Sequence, residues 1–150
     1  MRVVIQRVKK AKVSIKNTVI SKISNGLLIF CSFENNDSID DIEWIVKKIS
    51  QLRIFNDSDG LMNRSLFDTE GEVMIVSQFT LHAKTKKGNR PSYVHAAKPD
   101  VAIPLYNKFI EHFTELIPNK VRSGEFGADM QIELINDGPV TILIDTKNKE

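Results

Sequence analysis

Residues 2–33 read RVVIQRVKKAKVSIKNTVISKISNGLLIFCSF, and this stretch decides the fold. In Ala11–Lys16, the apolar Ala11, Val13 and Ile15 alternate with Lys12, Ser14 and Lys16, the period-two mark of a half-buried strand. Arg2–Val8 and Val19–Ser24 read as two further strands, with Asn17-Thr18 as a turn before the latter. Asn25-Gly26 is the next turn signal. Leu27–Phe33 then forms a nearly unbroken apolar run, which predicts a central strand covered on both faces.

Downstream, helices enter. Ser38 is placed to cap a helix whose first turn carries Asp40 and Asp41, with Ile42, Ile45, Val46 and Ile49 at helical spacing. Asp57–Gly60 is a turn, and Glu72–Phe79 is a strand. A second helix is predicted over about Pro99 to Leu116, with Leu105, Phe109, Phe113 and Leu116 on one face. Pro104 fits poorly inside it, so the helix starts there or its first turn is distorted. Lys120–Ser123, Met130–Ile135 and Val140–Asp145 close the chain as strands, and the last five residues are expected to fray. The expected class is α+β: a small β-barrel-like sheet, mixed or antiparallel, with two flanking helices, in one domain spanning residues 1–150. The βαβ alternation of a doubly wound fold is missing.

A chain of 150 residues is the length of one domain and buries enough surface to need no covalent staples. Hydrophobic residues at 41% and charged residues at 27% exclude collagen-like and disordered classes. Cys31 is the single cysteine, so neither an internal disulfide nor a four-cysteine zinc site can form; a cytoplasmic setting is expected. Cys31 itself reads as a small buried hydrophobe. Met1–Val8 lacks the apolar core of a signal peptide, and no run approaches the ~20 residues of a membrane span.

The net charge of +2 is unevenly distributed. Residues 1–33 hold seven Lys or Arg and no acid, and residues 73–99 hold five (Lys84, Lys86, Lys87, Arg90, Lys98) and no acid. Such segments either face a polyanion or carry solvated lysines on strands.

The three histidines, His82, His95 and His112, have no metal-ligand spacing, and no glycine-rich phosphate loop is present. Ser77-Gln78-Phe79-Thr80-Leu81 ends a strand with polar side chains. If the chain stays extended, Gln78, Thr80 and His82 share a face, and a hydroxyl lies beside an imidazole. A polar strand end with an exposed histidine is the plainer reading. Asn136-Asp137-Gly138-Pro139-Val140-Thr141 is read either as a tight hairpin turn or as a segment whose Gly-Pro bond is cis and re-aims its carbonyls.

Together these segments resemble the D-aminoacyl-tRNA deacylase family. The resemblance also takes in Met1–Val8, Leu52-Arg53-Ile54-Phe55, Lys87-Gly88-Asn89-Arg90-Pro91-Ser92 and Gly127-Ala128-Asp129-Met130, so it spans essentially the whole chain. It implies a metal-free, cofactor-free homodimer with no membrane association. The implied reaction is hydrolysis of the ester between a D-amino acid and the 3′-terminal adenosine of tRNA, extending to glycine mischarged on tRNA. Ser77, Gln78, Phe79 and Thr80 would form the catalytic segment. Backbone N–H groups near Gln78 and Phe79 would stabilise the oxyanion, and the ribose 2′-hydroxyl would help activate water. Thr80 would be a positioning residue or the nucleophile, and the first is preferred because an unactivated threonine hydroxyl is a poor nucleophile. Gly138 and Pro139, in the cis form, would reach into the partner's site and exclude L-amino acids by a clash. Phe126 and Met130 would line the adenosine pocket, and Lys84, Lys86, Lys87 and Arg90 would meet tRNA phosphates. Two other readings stay open on the residues: a non-catalytic nucleic-acid-binding dimer, and a hydrolase of small D-aminoacyl compounds.

Overall fold

The computed structural model describes all residues from Met1 to Glu150. Two expected strands, Arg2–Val8 and Ala11–Lys16, merge into one, β1 (Arg2–Ile15). Its first half pairs antiparallel with β3 (Gly26–Ser32) and its second half with β2 (Thr18–Ile23). The β1–β2 turn is Lys16-Asn17 rather than Asn17-Thr18; both residues take positive φ, 48° and 64°, as a tight hairpin requires.

The chain after β3 runs through α1 (Ile39–Gln51), a small ribbon of β4 (Phe55–Asn56) and β5 (Met62–Arg64), and a single-turn α2 (Leu66–Thr69). It then enters β6 (Glu72–Ser77), parallel to β3, and after α3 (Pro99–Leu116) reaches β7 (Val121–Ser123), parallel to β6. Two βαβ crossovers therefore do occur. The fold is still not doubly wound, because α1 and α3 pack against each other and into one shared core. The sheet order is β2-β1-β3-β6-β7, with β8 (Gln131–Asp145) on the other edge of β1. Ser21 Oγ donates to the Ser123 carbonyl at 2.9 Å, drawing β2 towards β7 and nearly closing a barrel. The α+β class and barrel-like mixed sheet match expectation, with a third, four-residue helix added.

The apolar run in β3 is buried on both sides, as its composition demands. Leu27, Ile29 and Cys31 join Val73, Ile75 and the helices in the larger core. Leu28 joins Val8, Val13, Met74 and Val76 in a second core on the opposite face. Helix α1 begins with a reciprocal cap: Ser38 N–H donates to Asp41 Oδ2 at 3.0 Å, and Asp41 N–H donates to Ser38 Oγ at 3.4 Å. Helix α3 starts at Pro99 and continues past Pro104, which is exposed, so the helix does not begin at Pro104. Its buried stripe is Ala102, Tyr106, Phe109 and Phe113; Leu116 is exposed, and Leu105 only partly buried. Of the five residues expected to fray, Thr146 and Lys147 are anchored. The α-ammonium of Met1 donates to Asp37 Oδ1 (2.5 Å) and Thr146 Oγ1 (2.6 Å), all buried, and Lys147 pairs with Asp41 at 2.7 Å.

The expected break between Ile135 and Val140 is not a hairpin. β8 runs antiparallel to β1 throughout, with Asn136 opposite Val8 and Thr141 opposite Gln6. Four residues, Asp137 to Val140, thus stand opposite the single Arg7 and bulge from the ladder.

Candidate active site

The carboxyl ends of the parallel strands β3 and β6 open into a cleft of about 290 Å³. Such ends are where α/β sheets place ligand sites, because the crossovers leave a crevice there. Ser77, Gln78 and Phe79 line one wall, Ala97 and Ala102 at the α3 end another, and Phe126 and Met130 the approach to β8. The adenosine-pocket candidates and the Ser77–Phe79 segment therefore meet, although some fifty residues separate them in sequence. Tyr106 packs behind the cleft-lining Phe126. Its hydroxyl donates to the Ile75 carbonyl at 3.0 Å, its ring lies 5.6 Å from that of Phe126, and burial pushes its phenol well above the usual range.

The strand does not continue through Thr80. β6 ends at Ser77, and Phe79–His82 coil into a 3₁₀ turn. Gln78, Thr80 and His82 consequently do not share an extended face, and the hydroxyl–imidazole pair does not form. The Thr80 hydroxyl accepts from Gln78 Nε2 at 2.6 Å. The Gln78 N–H is already committed to the Cys31 carbonyl at 2.7 Å, stitching β6 to β3. That leaves the N–H groups of Phe79 and Thr80, which open the turn and have no partner within it; Phe79 lines the cleft and Thr80 follows it.

His82 is buried rather than exposed, with Nδ1 3.0 Å from a Glu34 carboxylate oxygen. Arg2 spans the same region, donating to the Leu81 carbonyl at 3.1 Å and to Asp145 at 2.8 Å. The 3₁₀ turn is thus met by two side chains from elsewhere in the chain, Glu34 at His82 and Arg2 at the Leu81 carbonyl, that strand patterning does not single out. Burial holds the His82 imidazole below its ordinary pKa, Glu34 opposes that, and Arg2 and the Met1 ammonium reinforce it. The folded state prefers neutral His82, so its contribution is complete above the unfolded value of ~6.5 and is lost as pH falls below it. Denaturation midpoints between pH 7 and 5 should therefore fall less steeply in His82→Leu than in the unaltered protein, with exposed His95→Gln as control. Identical slopes would refute this.

Cys31 is buried, its thiol raised far above the ordinary value by desolvation, as expected of an inert core residue. No group of three His, Cys, Asp or Glu side chains gathers as a metal site would require, and no helix is long and apolar enough to cross a membrane.

Two sets of candidates lie apart from the cleft. Lys84, Lys86, Lys87 and Arg90 occupy an exposed loop, closed at its base by Lys84 and Ser92 exchanging backbone hydrogen bonds of 2.7 and 3.0 Å. Gly138 and Pro139 are also exposed, are joined by a cis peptide bond, and do not line this chain's own cleft. Their bulge is rigidly held. Arg7, buried, donates to the carbonyls of Asp137 (3.0 Å) and Ile54 (2.5 Å) and to Asn56 Oδ1 (3.1 Å). Asn136 closes the neck, donating to Thr141 Oγ1 at 3.0 Å and accepting from the Val140 N–H at 2.9 Å. Arg7 had a sequence signal: it continues the Val3, Ile5 parity, an arginine at an inward position.

Comparison with known proteins shows the family of the chain. The family described as D-Tyr-tRNA(Tyr) deacylase matches residues 4–145. The chain is 57% identical over 150 residues to a D-aminoacyl-tRNA deacylase of Parabacteroides distasonis and 56% identical to one of Bacteroides fragilis, covering all of both chains in each case. A solved structure described as a c-Myc DNA unwinding element binding protein superposes with a TM-score of 0.92 at 37% identity, covering 97% of this chain and 98% of that one. A probable eukaryotic D-amino acid tRNA deacylase shares the fold, with a TM-score of 0.81 at 20% identity over 95% of this chain and 97% of that one. With matches running its full length, the chain belongs to the D-Tyr-tRNA(Tyr) deacylase family.

Proposed function

We propose that the protein hydrolyses the ester of D-aminoacyl-tRNA in the cytoplasm, releasing free D-amino acid and tRNA, with glycine mischarged on tRNA as a further substrate. The whole chain, residues 1–150, acts as one domain. The observation that carries this reading is the cleft at the ends of β3 and β6. It joins Ser77, Gln78 and Phe79 to Phe126 and Met130 within about 290 Å³. An apolar pocket of that size beside free backbone donors suits an adenosine carrying an ester.

An aminoacyl ester is already activated, so the protein's task is to place water and hold developing charge. Water attacks the carbonyl carbon, and the C–O bond to ribose breaks. The ribose oxygen leaves with a proton, and the acyl group leaves as the amino acid. The N–H groups of Phe79 and Thr80 supply the oxyanion donors; that of Gln78 is engaged elsewhere. Each such donor contributes ~3 kcal/mol to transition-state stabilisation. The Thr80 hydroxyl, held by Gln78, has no base beside it and acts as a positioning group.

Chiral selection belongs to Gly138-Pro139 acting across a homodimer. Three features support this. The pair is exposed, it is pinned by Arg7, and it does not line its own chain's cleft. Ile135 and Leu143, in the same strand, are exposed apolar side chains that a second subunit would cover. The pair's carbonyls would hold the substrate's amino group and leave no room for an L side chain.

The decisive experiment compares hydrolysis of D- and L-aminoacyl-tRNA by the unaltered protein and by Thr80→Ala. Selective release of the D-amino acid is expected, with Thr80→Ala retaining at least about a tenth of the rate, since backbone donors survive the change. Failure to hydrolyse either enantiomer would reject the reading. Loss of all turnover in a folded, tRNA-binding Thr80→Ala would reject the backbone mechanism.

A further inference from the structure

Phe79 has two surroundings. One part of it lines the cleft, yet 57% of its surface is exposed. On the exposed side its ring meets Tyr93 edge-on, with centroids 5.0 Å apart and planes at 77°. Tyr93 is 36% exposed, and Val94 beside it 72%. Scattered apolar residues on a surface need no explanation, but a contiguous aromatic pair at the mouth of a cleft does.

The pair is also held in place. The backbone exchange between Lys84 and Ser92 sets Tyr93 at the base of the cationic loop. The Ala96 N–H returns to the Tyr93 carbonyl at 3.0 Å, and the next residue, Ala97, ties to the Phe33 carbonyl at 2.8 Å on the cleft wall. Lys84, Lys86, Lys87 and Arg90 in this loop are exposed and engage in no ion pair, and residues 73–99 contain no acid. Fixed aromatic faces beside unpaired cations are what a single-stranded nucleic acid needs: bases stack on the rings while phosphates meet the charges, without sequence readout.

We propose that Tyr93, supported edge-on by Phe79, is a stacking platform for the unpaired nucleotides that precede the terminal adenosine of tRNA, with the Lys84–Arg90 loop taking their phosphates. The inference rests on the deacylase reading for the direction of the strand, since an adenosine seated against Phe79 must lead its preceding nucleotides out over the cleft's rim. The platform makes the tRNA end, rather than the adenosine ester alone, the recognised unit.

Two readouts test it. The first compares Tyr93→Ala on D-aminoacyl-tRNA and on D-aminoacyl-adenosine, which lacks the preceding nucleotides. The loss of kcat/KM on the tRNA should exceed the loss on the short ester by about tenfold, the scale of one lost base stack, and Tyr93→Phe should restore most of it. Equal losses on both substrates, or none on either, would overturn the platform. The second is binding of uncharged tRNA with its 3′ end intact or trimmed of its unpaired nucleotides. The unaltered protein should bind the intact form about tenfold more tightly, and Tyr93→Ala should erase the difference. No preference for the intact end would overturn the platform even with deacylation established; a preference without deacylation would instead reject the catalytic reading. A change of oligomeric state in Tyr93→Ala, seen by sedimentation, would assign the aromatic pair to a subunit contact and also overturn it.

Discussion

Arg7→Ala is expected to loosen discrimination between D- and L-aminoacyl-tRNA and to destabilise the fold at the same time. The buried Arg7 guanidinium braces the bulge, contacting the Asp137 carbonyl and, through the same group, the Ile54 carbonyl and Asn56, while exposed Lys9 lies 3.7 Å from the Asp137 carboxylate. The Asp137 carboxylate lies 3.4 Å from the guanidinium as well. Truncation leaves the Ile54 carbonyl without its donor in a buried space and the Asp137 carbonyl and Asn56 without theirs in a part-buried one, a cost of about 1–3 kcal/mol. It also frees Gly138-Pro139 to move, and a gate that excludes by clash works only while it is rigid. The D-over-L ratio should fall by about tenfold or more, because each ~1.4 kcal/mol of lost clash energy is one factor of ten. Arg7→Lys keeps a charge but not the planar fork, so it should recover stability better than selectivity. The checks are denaturant unfolding and parallel hydrolysis of the two enantiomers. An unchanged ratio in a destabilised but folded Arg7→Ala would separate the bulge from chiral selection.

Gly26→Ala should be the most damaging single methyl group in the molecule. Gly26 opens β3 directly opposite Glu72 of β6, and a Cβ there would sit 1.9 Å from the Glu72 carbonyl oxygen and 2.7 Å from its backbone carbon and nitrogen. The obstruction is backbone, so no rotamer change relieves it. Relief requires prising β3 from β6, the pairing that aligns Leu27–Cys31 with Val73–Ser77 and sets the cleft's floor. A loss of at least about 3 kcal/mol is expected, in line with severe overpacking. For a chain of this size that corresponds to a drop in Tm of about 10 °C. Gly60→Ala provides the contrast. Nothing lies within 4 Å of its added Cβ, and only its φ of +80° is unfavourable, so the cost should be ~1 kcal/mol. Thermal unfolding of the two variants side by side tests the comparison; similar midpoints would show that the β3–β6 approach is softer than its geometry implies.

Much of this architecture is written locally. The alternation in Ala11–Ile15, the doubly buried run after Gly26 and the Ser38 cap each depend on side chains within a few residues of one another, so patterning alone identifies them. Family resemblance likewise brought Ser77–Thr80, Phe126, Met130 and Gly138-Pro139 forward as candidates. Other features required the folded chain. The turn that follows Ser77 is met by Glu34, which lies against His82, and by Arg2, which donates to the Leu81 carbonyl; both come from distant parts of the chain. The stripe on α3 is Ala102, Tyr106, Phe109 and Phe113 because Tyr106 finds the Ile75 carbonyl, a partner that helical periodicity does not contain. The segment around Gly138 carries strong turn residues, yet β8 continues past it, because β1 offers a long unpaired edge and Arg7 satisfies the bulge from below. The sequence by itself determined the two long helices, the buried strand β3 and the hairpin partner β2, together with the short motifs; the merging of the expected strands into β1 and β8, the ribbon of β4 and β5, and α2 did not follow from it. Tertiary structure alone decided which backbone donors are left free, which rings reach the surface and how the bulge is braced, because each depends on hydrogen bonds and packing between residues far apart in the chain.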